Sequence, residues 1–170
     1  DLEVKTADGN VSVSSGCGNV SIYGRNTDIT VHEPRGRVVA VTTNGRIVLH
    51  DVPGGAKAET VNGGVRAWMR GGALEAKTTN GDIVAHVLDP RVESCALNTQ
   101  NGGITVVMNK GCTAYVNGTT ERGAVQSEFP VDASAGVALR RHLEGTIGEG
   151  KTRLILDTLN GNIRIARSKL

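Results

Sequence analysis

Aromatic side chains are scarce in this chain of 170 residues, which contains only Tyr23, Trp68, Tyr115 and Phe129. Aromatic residues supply much of the buried area in ordinary globular cores. A sandwich of this length would normally need more bulk than Ala, Val, Ile, Leu and Thr provide. The composition therefore favours a thin, flattened core over a broad globular one.

A strong charge of one sign and a long apolar run are also missing. The formal net charge is +2, and the basic residues are scattered among acids. The pair Arg140-Arg141 is too short to form a basic patch, so we expect no nucleic-acid partner. We expect no transmembrane segment within this sequence, and it shows no signal-peptide pattern. It begins at Asp1 in mid-pattern without Met, which suggests a mature or excised fragment.

Residues with the spacing of a metal site or a catalytic motif are absent. Cys17, Cys95 and Cys112 stand at unrelated positions and form no Cys-x-x-Cys pair, so we expect structural thiols, no metal and no cofactor. The four histidines form no recognisable motif with a nucleophile. We therefore predict no catalytic residue and no enzymatic activity.

A carbohydrate-active β-helix enzyme is the less favoured alternative. Calcium-dependent lyases of that kind need several acids on one face, because calcium binds six to eight oxygens. The words Thr-x-Asn-Gly occur five times in the chain, and Asp82 is the only acid that directly follows one of them. The residues at the equivalent positions are Arg46, Gly64, Gly103 and Asn162.

The chain does contain a repeated word, Thr-x-Asn-Gly-x-Ile/Val, in five copies. The step from Gly45 to Gly63, here called the repeat interval, recurs unchanged from Gly63 to Gly81, and the step to Gly102 is slightly longer. A short fixed period is the signature of stacked repeats. Because Asn and Gly tolerate turn conformations, we interpret these pairs as structural corners. They are Asn44-Gly45, Asn62-Gly63, Asn80-Gly81, Asn101-Gly102 and Asn160-Gly161.

Apolar residues alternate with polar ones on both sides of each corner, as expected of half-buried strands. The inward positions after the corners begin at Ile47, Val65, Ile83, Ile104 and Ile163. Before the corners, the inward positions end at Thr42, Thr60, Thr78, Thr99 and Thr158. No stretch of useful length has helical periodicity. The sequence therefore predicts an all-β protein.

Two all-β architectures fit this pattern. The first is a single-domain parallel β-solenoid over residues 1–170, β-helix-like, with about 18 residues per two-stranded coil and each coil stacked on the last. The second is an antiparallel meander or sandwich, because Asn-Gly is a typical hairpin turn. The recurrence of one corner favours the solenoid. So do Lys57 with Glu75 and Glu59 with Lys77, pairs of opposite charge that are one repeat interval apart.

The repeat weakens towards the C-terminus. A degenerate copy ends at Gly123, and the step to Gly161 is 38 residues, or about two coils. We expect an irregular loop near residues 130–151. Within it, residues 143–150 have the composition of an exposed loop.

One surface position carries the candidate binding residues. His50, Trp68 and His86 follow one another at the repeat interval, and parity places all of them outward on the strand after the corner. Arg66 lies on the same face. A Trp exposed between hydrogen-bonding side chains is suited to stacking on a sugar or docking a protein. We predict His50, Arg66, Trp68 and His86 as the contact surface.

The repeated corner words, together with the closing segment from Gly145 to Ile165, resemble a bacterial adhesin-type family of β-strand repeats, a domain of unknown function. The resemblance spans residues 11–165. It implies a β-solenoid-like fold and an extracytoplasmic location, in the periplasm or at the cell surface. It also implies a structural, adhesive or sensory role. For the face that carries Trp68 we expect an unidentified protein or glycan partner. The alternative role is a scaffold that self-associates through its terminal coils.

Overall fold

The structure, a computed structural model, describes residues 1–133 and 138–169. The described residues contain no helix, and hence none long and apolar enough to cross a membrane. Their regular structure consists of strands β1 Leu2–Lys5, β2 Asp8–Val13, β3 Val20–Tyr23, β4 Asn26–His32, β5 Val38–Val41, β6 Ile47–Val52, β7 Ala56–Glu59, β8 Val65–Met69, β9 Gly72–Asn80, β10 Ile83–Val87, β11 Val92–Asn101, β12 Ile104–Met108, β13 Ala114–Arg122, β14 Val125–Ser127, β15 Ala138–Leu139, β16 His142–Ile147, β17 Thr152–Asn160 and β18 Ile163–Arg167.

These strands form two sheets around one apolar core. The first sheet has the order β1-β3-β5-β7-β9-β11-β17-β13-β16-β15, and the second has the order β14-β18-β12-β10-β8-β6-β4-β2. Successive coils pair in parallel, as in Ile83 with Val65 and Lys57 with Glu75. The predicted parallel β-solenoid is confirmed, and the antiparallel meander is wrong.

Burial follows the predicted parity. The five residues that open the strands after the corners are all buried: Ile47, Val65, Ile83, Ile104 and Ile163. The inward threonines of the preceding strands are buried as well: Thr42, Thr60, Thr78, Thr99 and Thr158. Cys95 is also fully buried, and burial raises the pKa of its thiol to about 12. This thiol is therefore a packing residue.

The corner asparagines form a continuous ladder of side-chain amides. Asn62 donates from Nδ2 to Oδ1 of Asn44 at 2.8 Å, and Asn80 donates likewise to Asn62 at 2.8 Å. The ladder starts at Asp8, whose carboxylate accepts from Asn26 at 2.7 Å. All donors point towards Asp8, so a negative charge lies at the positive end of the aligned amide dipoles. The corner asparagines therefore link successive coils through their side chains.

The corner glycines are required by a close backbone approach. At Gly63 a side-chain Cβ would lie 2.0 Å from the carbonyl oxygen of Gly45, and at Gly102 it would lie 2.0 Å from that of Gly81. Such distances are far below van der Waals contact. Each glycine thus lets one coil rest directly on the backbone of its neighbour.

The corner threonines complete this contact. Thr78 donates from Oγ1 to the carbonyl oxygen of Gly63 at 2.9 Å, and Thr99 donates to that of Gly81 at 2.9 Å. The hydroxyl is buried and points inward across the corner. The Thr-x-Asn-Gly word therefore encodes three stacking contacts in one turn: a buried hydroxyl bond, an amide rung and a backbone contact.

Thr78→Val is expected to destabilise the fold by about 1–3 kcal/mol, because the Gly63 carbonyl loses its buried donor. Thr27 provides the matched control. Its buried Oγ1 has no hydrogen-bond partner among the described residues, so Thr27→Val is expected to be neutral or slightly stabilising. Urea denaturation of both variants measures the difference. Equal losses of stability would contradict this role of the corner hydroxyl.

At one corner the Thr and the Gly of the Thr-x-Asn-Gly repeat are exchanged. Gly24 stands at the Thr position and Thr27 at the Gly position of the corner built on Asn26. A Cβ on Gly24 would lie 2.5 Å from the Cβ of Thr27. The side chain of Thr27 therefore occupies the space that a threonine at position 24 would fill. The exchange keeps the corner filled, but it leaves the Thr27 hydroxyl without a partner among the described residues.

The coils do not stack in chain order at the C-terminal end. Strand β17 lies between β11 and β13, so Asn160 pairs with Asn101 on one side and with Arg122 on the other. The expectation that each coil stacks on the last is wrong here. The 38-residue step from Gly123 to Gly161 contains β14 of the outermost coil and the edge strands β15 and β16. It then continues into β17, which lies between β11 and β13.

The predicted exposed loop at residues 143–150 is also corrected. Strand β16 spans most of it and pairs antiparallel with β13, and Leu143 and Ile147 are 8% and 5% exposed. Alternation of Leu143, Gly145 and Ile147 places one face of the strand against the core. Residues 134–137 of the predicted irregular segment lie outside the described residues. Strand β16, flanked by the two-residue β15, covers the end of the first sheet.

Candidate functional site

The candidate site lies on the outer face of the second sheet, where β6, β8 and β10 run side by side. The parallel register arranges the outward side chains in columns across these strands. Val48, Arg66 and Val84 form the central column. His50, Trp68 and His86 form the column nearer the C-terminal ends of the strands.

The predicted column of His50, Trp68 and His86 is a stack of rings, and His32 extends it by one ring. We call these four residues the aromatic ladder. The ring centroids are 4.5, 4.4 and 4.7 Å apart in that order, and the interplanar angles are 2°, 13° and 5°. The structure thus brings together the three predicted rings and adds His32. Sequence reasoning missed His32, although its position one repeat interval before His50 was the available signal.

The stacking decides which part of each ring can meet a ligand. Both faces of Trp68 are covered, one by His50 and the other by His86. Stacking of a sugar on the Trp68 face, one of the two expected uses, is therefore excluded. These three half-buried rings present their edges to solvent, and the indole N–H of Trp68 donates no hydrogen bond within the described residues.

A β-bulge lies beside the ladder. The register between β6 and β8 shifts between Leu49 and Val52, and Asp51 has a φ of 54°. Asp51 is held by an ion pair with Arg70. Asp51 is the extra residue of the bulge and follows His50 in the strand. The ring of His50 therefore still stacks on Trp68. The largest ring tilt, 13°, occurs at this step.

The environment favours the neutral imidazole at His50 and at His86. Burial lowers the pKa of His50, and the neighbouring His32 lowers it further, whereas Asp51 raises it. Burial also lowers the pKa of His86, and the charge of Arg66 adds to that effect. At neutral pH each of these two rings therefore offers one donor and one acceptor nitrogen.

Arg46, Gly64 and Asp82 occupy equivalent positions on three neighbouring coils. Gly64 has no side chain, so a depression lies there, next to Arg66. It encloses about 330 Å³ and is lined by both arginines, Asp82, Val48 and Val84. We call it the Gly64 notch. Within the described part of the chain, neither Arg46 nor Arg66 forms an ion pair. Asp82 accepts a hydrogen bond from the Gly103 amide at 2.7 Å.

Comparison with known protein families identifies the family of the chain. The family model described as Toastrack DUF4097 matches residues 1–166. The chain belongs to the Toastrack DUF4097 family. No curated protein and no solved structure matches it. Membership accounts for the β-repeat fold, and the family is a domain of unknown function.

A second polar cluster of this Toastrack domain lies on the first sheet, at its covered end. Thr119 and His142 are cross-strand neighbours with 2.9 Å between Oγ1 and Nδ1, and Nε2 of His142 lies 3.7 Å from Glu144. Sequence reasoning found no such group, because β16 was expected to be a loop. Tyr115 already donates to the Glu144 carboxylate. These bonds tie β16 to β13.

Proposed function

We propose that this Toastrack domain is a non-enzymatic recognition module of the bacterial envelope. It acts outside the cytoplasm as an adhesin-like domain, and its partner is a protein or a glycan. The contact surface is the outer face of the second sheet, with His50, Arg66, Trp68 and His86. Neither a nucleic acid nor a cofactor takes part.

One observation carries this proposal: a row of ring edges stands beside two guanidinium groups that have no ion-pair partner among the described residues. Recognition surfaces are enriched in Trp and Arg. The ladder is rigid because each ring is fixed by its neighbours at 4.4–4.7 Å. A rigid surface loses little conformational entropy on binding.

A self-associating scaffold is the second candidate, and the open end of the solenoid favours it. Strands β1 and β2 are the terminal strands of the two sheets at that end. Unpaired strand edges are templates for a further strand. The opposite end of the first sheet is covered by antiparallel β16 and the two-residue β15. This candidate predicts pairs of molecules rather than filaments, which sedimentation at graded concentration would detect.

Trp68→Ala is expected to weaken partner binding at least about tenfold, as at other interface hot spots. The measurement is retention of envelope glycans and copurifying proteins by the immobilised domain, after circular dichroism has shown that the variant folds. Trp68→Phe is the matched control, because it keeps a ring between His50 and His86 but removes the indole N–H. If a folded Trp68→Ala variant keeps every interaction of the parent, this face is not the contact surface.

A further inference from the structure

The chemistry of the Gly64 notch identifies a class of ligand. Arg46 and Arg66 bring two positive charges to the lining of the notch, and Asp82 brings one negative charge. Parallel strands are about 4.8 Å apart, so Arg46 and Asp82 start from backbones about 9.6 Å apart, two strand spacings. Arg46 and Asp82 form no ion pair with each other, and the space between them is open over Gly64.

We propose that the Gly64 notch binds a carboxylate-bearing polysaccharide, with Arg46 and Arg66 holding the carboxylate. This inference rests on the proposed function and deepens it. A guanidinium binds a carboxylate through two parallel N–H···O bonds, which fixes both position and orientation. Asp82 then accepts hydrogen bonds from sugar hydroxyls, and the ring edges of Trp68 and His86 provide further polar contacts.

The acid in the notch argues against densely charged ligands. A heavily sulfated or phosphorylated polymer would place anionic groups against Asp82, where like charges repel. A chain of sugar acids carries one carboxylate per ring and several hydroxyls. Its sparse charge and many donors match a surface with two guanidinium groups and one carboxylate.

Of the two proposed classes of partner, this face suits a glycan better than a protein. Protein interfaces bury aromatic and apolar anchors at their centre. Among the described residues, the exposed large hydrophobic side chains are Tyr23, Val61, Leu139 and Leu159, and all four lie on strands or corners of the first sheet. Trp68 offers an edge rather than a face. The second sheet therefore presents hydrogen-bonding groups in rows along the axis, which suits a linear polar polymer.

The test is isothermal titration calorimetry of the whole chain with three probes. They are an oligogalacturonide, its neutral methyl ester and dextran sulfate. We expect the oligogalacturonide to bind at least about tenfold more tightly than its ester, because the ester lacks the charge that the guanidinium groups recognise. Dextran sulfate that binds as tightly as the oligogalacturonide would overturn the inference, since charge density alone would then explain binding.

Arg66→Ala is expected to weaken oligogalacturonide binding by about tenfold to a hundredfold, the range for losing a charge-assisted bond. Arg66→Lys should fall between the parent and Arg66→Ala, because it keeps the charge and loses the planar fork. The matched control is Arg153→Ala, an exposed arginine on the first sheet, which should bind like the parent. Equal losses in Arg66→Ala and Arg153→Ala would overturn the notch as the site.

The outcome also separates this inference from the proposed function. If the parent binds none of the three probes while Trp68→Ala still loses a copurifying partner, the polysaccharide inference fails and the contact surface stands. If Trp68→Ala and Arg66→Ala both keep all interactions, both proposals fail. Loss of oligogalacturonide binding in Arg66→Ala, with Arg153→Ala unchanged, supports both.

Discussion

Gly81→Ala is expected to destabilise the domain by about 3 kcal/mol or more, at or above the upper end of the usual range for overpacking. The new Cβ would lie 2.1 Å from the carbonyl oxygen of Gly63 and 2.6 Å from its carbonyl carbon. Both atoms belong to the backbone, so no flexible side chain can move aside. The cause is steric rather than conformational, because Gly81 does not have a left-handed φ.

The damage would spread through the corner. Thr99 donates to the Gly81 carbonyl, and the Asn80 amide forms the rung beside it. Displacing Gly81 therefore strains three contacts at once. For a domain of this size, a loss of 3 kcal/mol lowers the Tm by roughly 6–12 °C. Differential scanning calorimetry measures this change.

Gly111→Ala is the matched control for the Gly81 prediction. A Cβ at Gly111 would have no heavy atom within 4 Å. Alanine in an unstrained position reduces the entropy of the unfolded chain, so Gly111→Ala should be neutral or stabilising by about 0.4–1 kcal/mol. A Gly81→Ala variant that melts with the parent would show that the coils do not rest on one another at this corner.

Ile83→Ala is expected to cost about 2–5 kcal/mol of folding free energy. Ile83 is 0% exposed and lies in register between Val65 and Ile104. The amide of Ile83 donates to the Gly103 carbonyl at 3.0 Å, and the amide of Val65 donates to that of Asp82 at 3.0 Å. These hydrogen bonds fix the spacing of the strands, so the strands cannot move together to fill the cavity that the substitution leaves.

The control for this second prediction is Val84→Ala, one residue further along the same strand. Val84 points outward and is half-buried, so its loss should cost less than about 1 kcal/mol. Guanidinium denaturation at equilibrium compares the two variants. A cost for Ile83→Ala no larger than that for Val84→Ala would contradict the inward position of Ile83.

The candidate site was only partly predictable from the sequence. The repeat interval placed His50, Trp68 and His86 in one column. In parallel coils of equal length, equivalent residues lie side by side on neighbouring strands. That interval could not show that the rings would stack face to face, which depends on side-chain rotamers. The Gly64 notch depends on the neighbours of a glycine in three strands, so it emerged only from the packed sheet.

The sequence by itself determined which residues face inward, and it favoured parallel stacking of the coils over an antiparallel meander. The physical reason is that every Thr-x-Asn-Gly corner carries its own stacking contacts, as Thr78, Asn80 and Gly81 show. Even the reversed corner at Gly24 and Thr27 keeps its place, because the exchanged side chain fills the same space.

Only the tertiary structure decided the order in which the coils stack. Equivalent corners are interchangeable partners, so the corner of Gly161 can rest on that of Gly102 and support that of Gly123. The long segment between Gly123 and Gly161 adds little entropic cost, because the entropy lost on closing a loop depends only weakly on its length. Pairing of β16 with β13 then covers the edge of the outermost coil. The local repeat specifies that each coil stacks on another coil. Which coil becomes its neighbour depends on the core residues and the strand edge that would otherwise stay exposed.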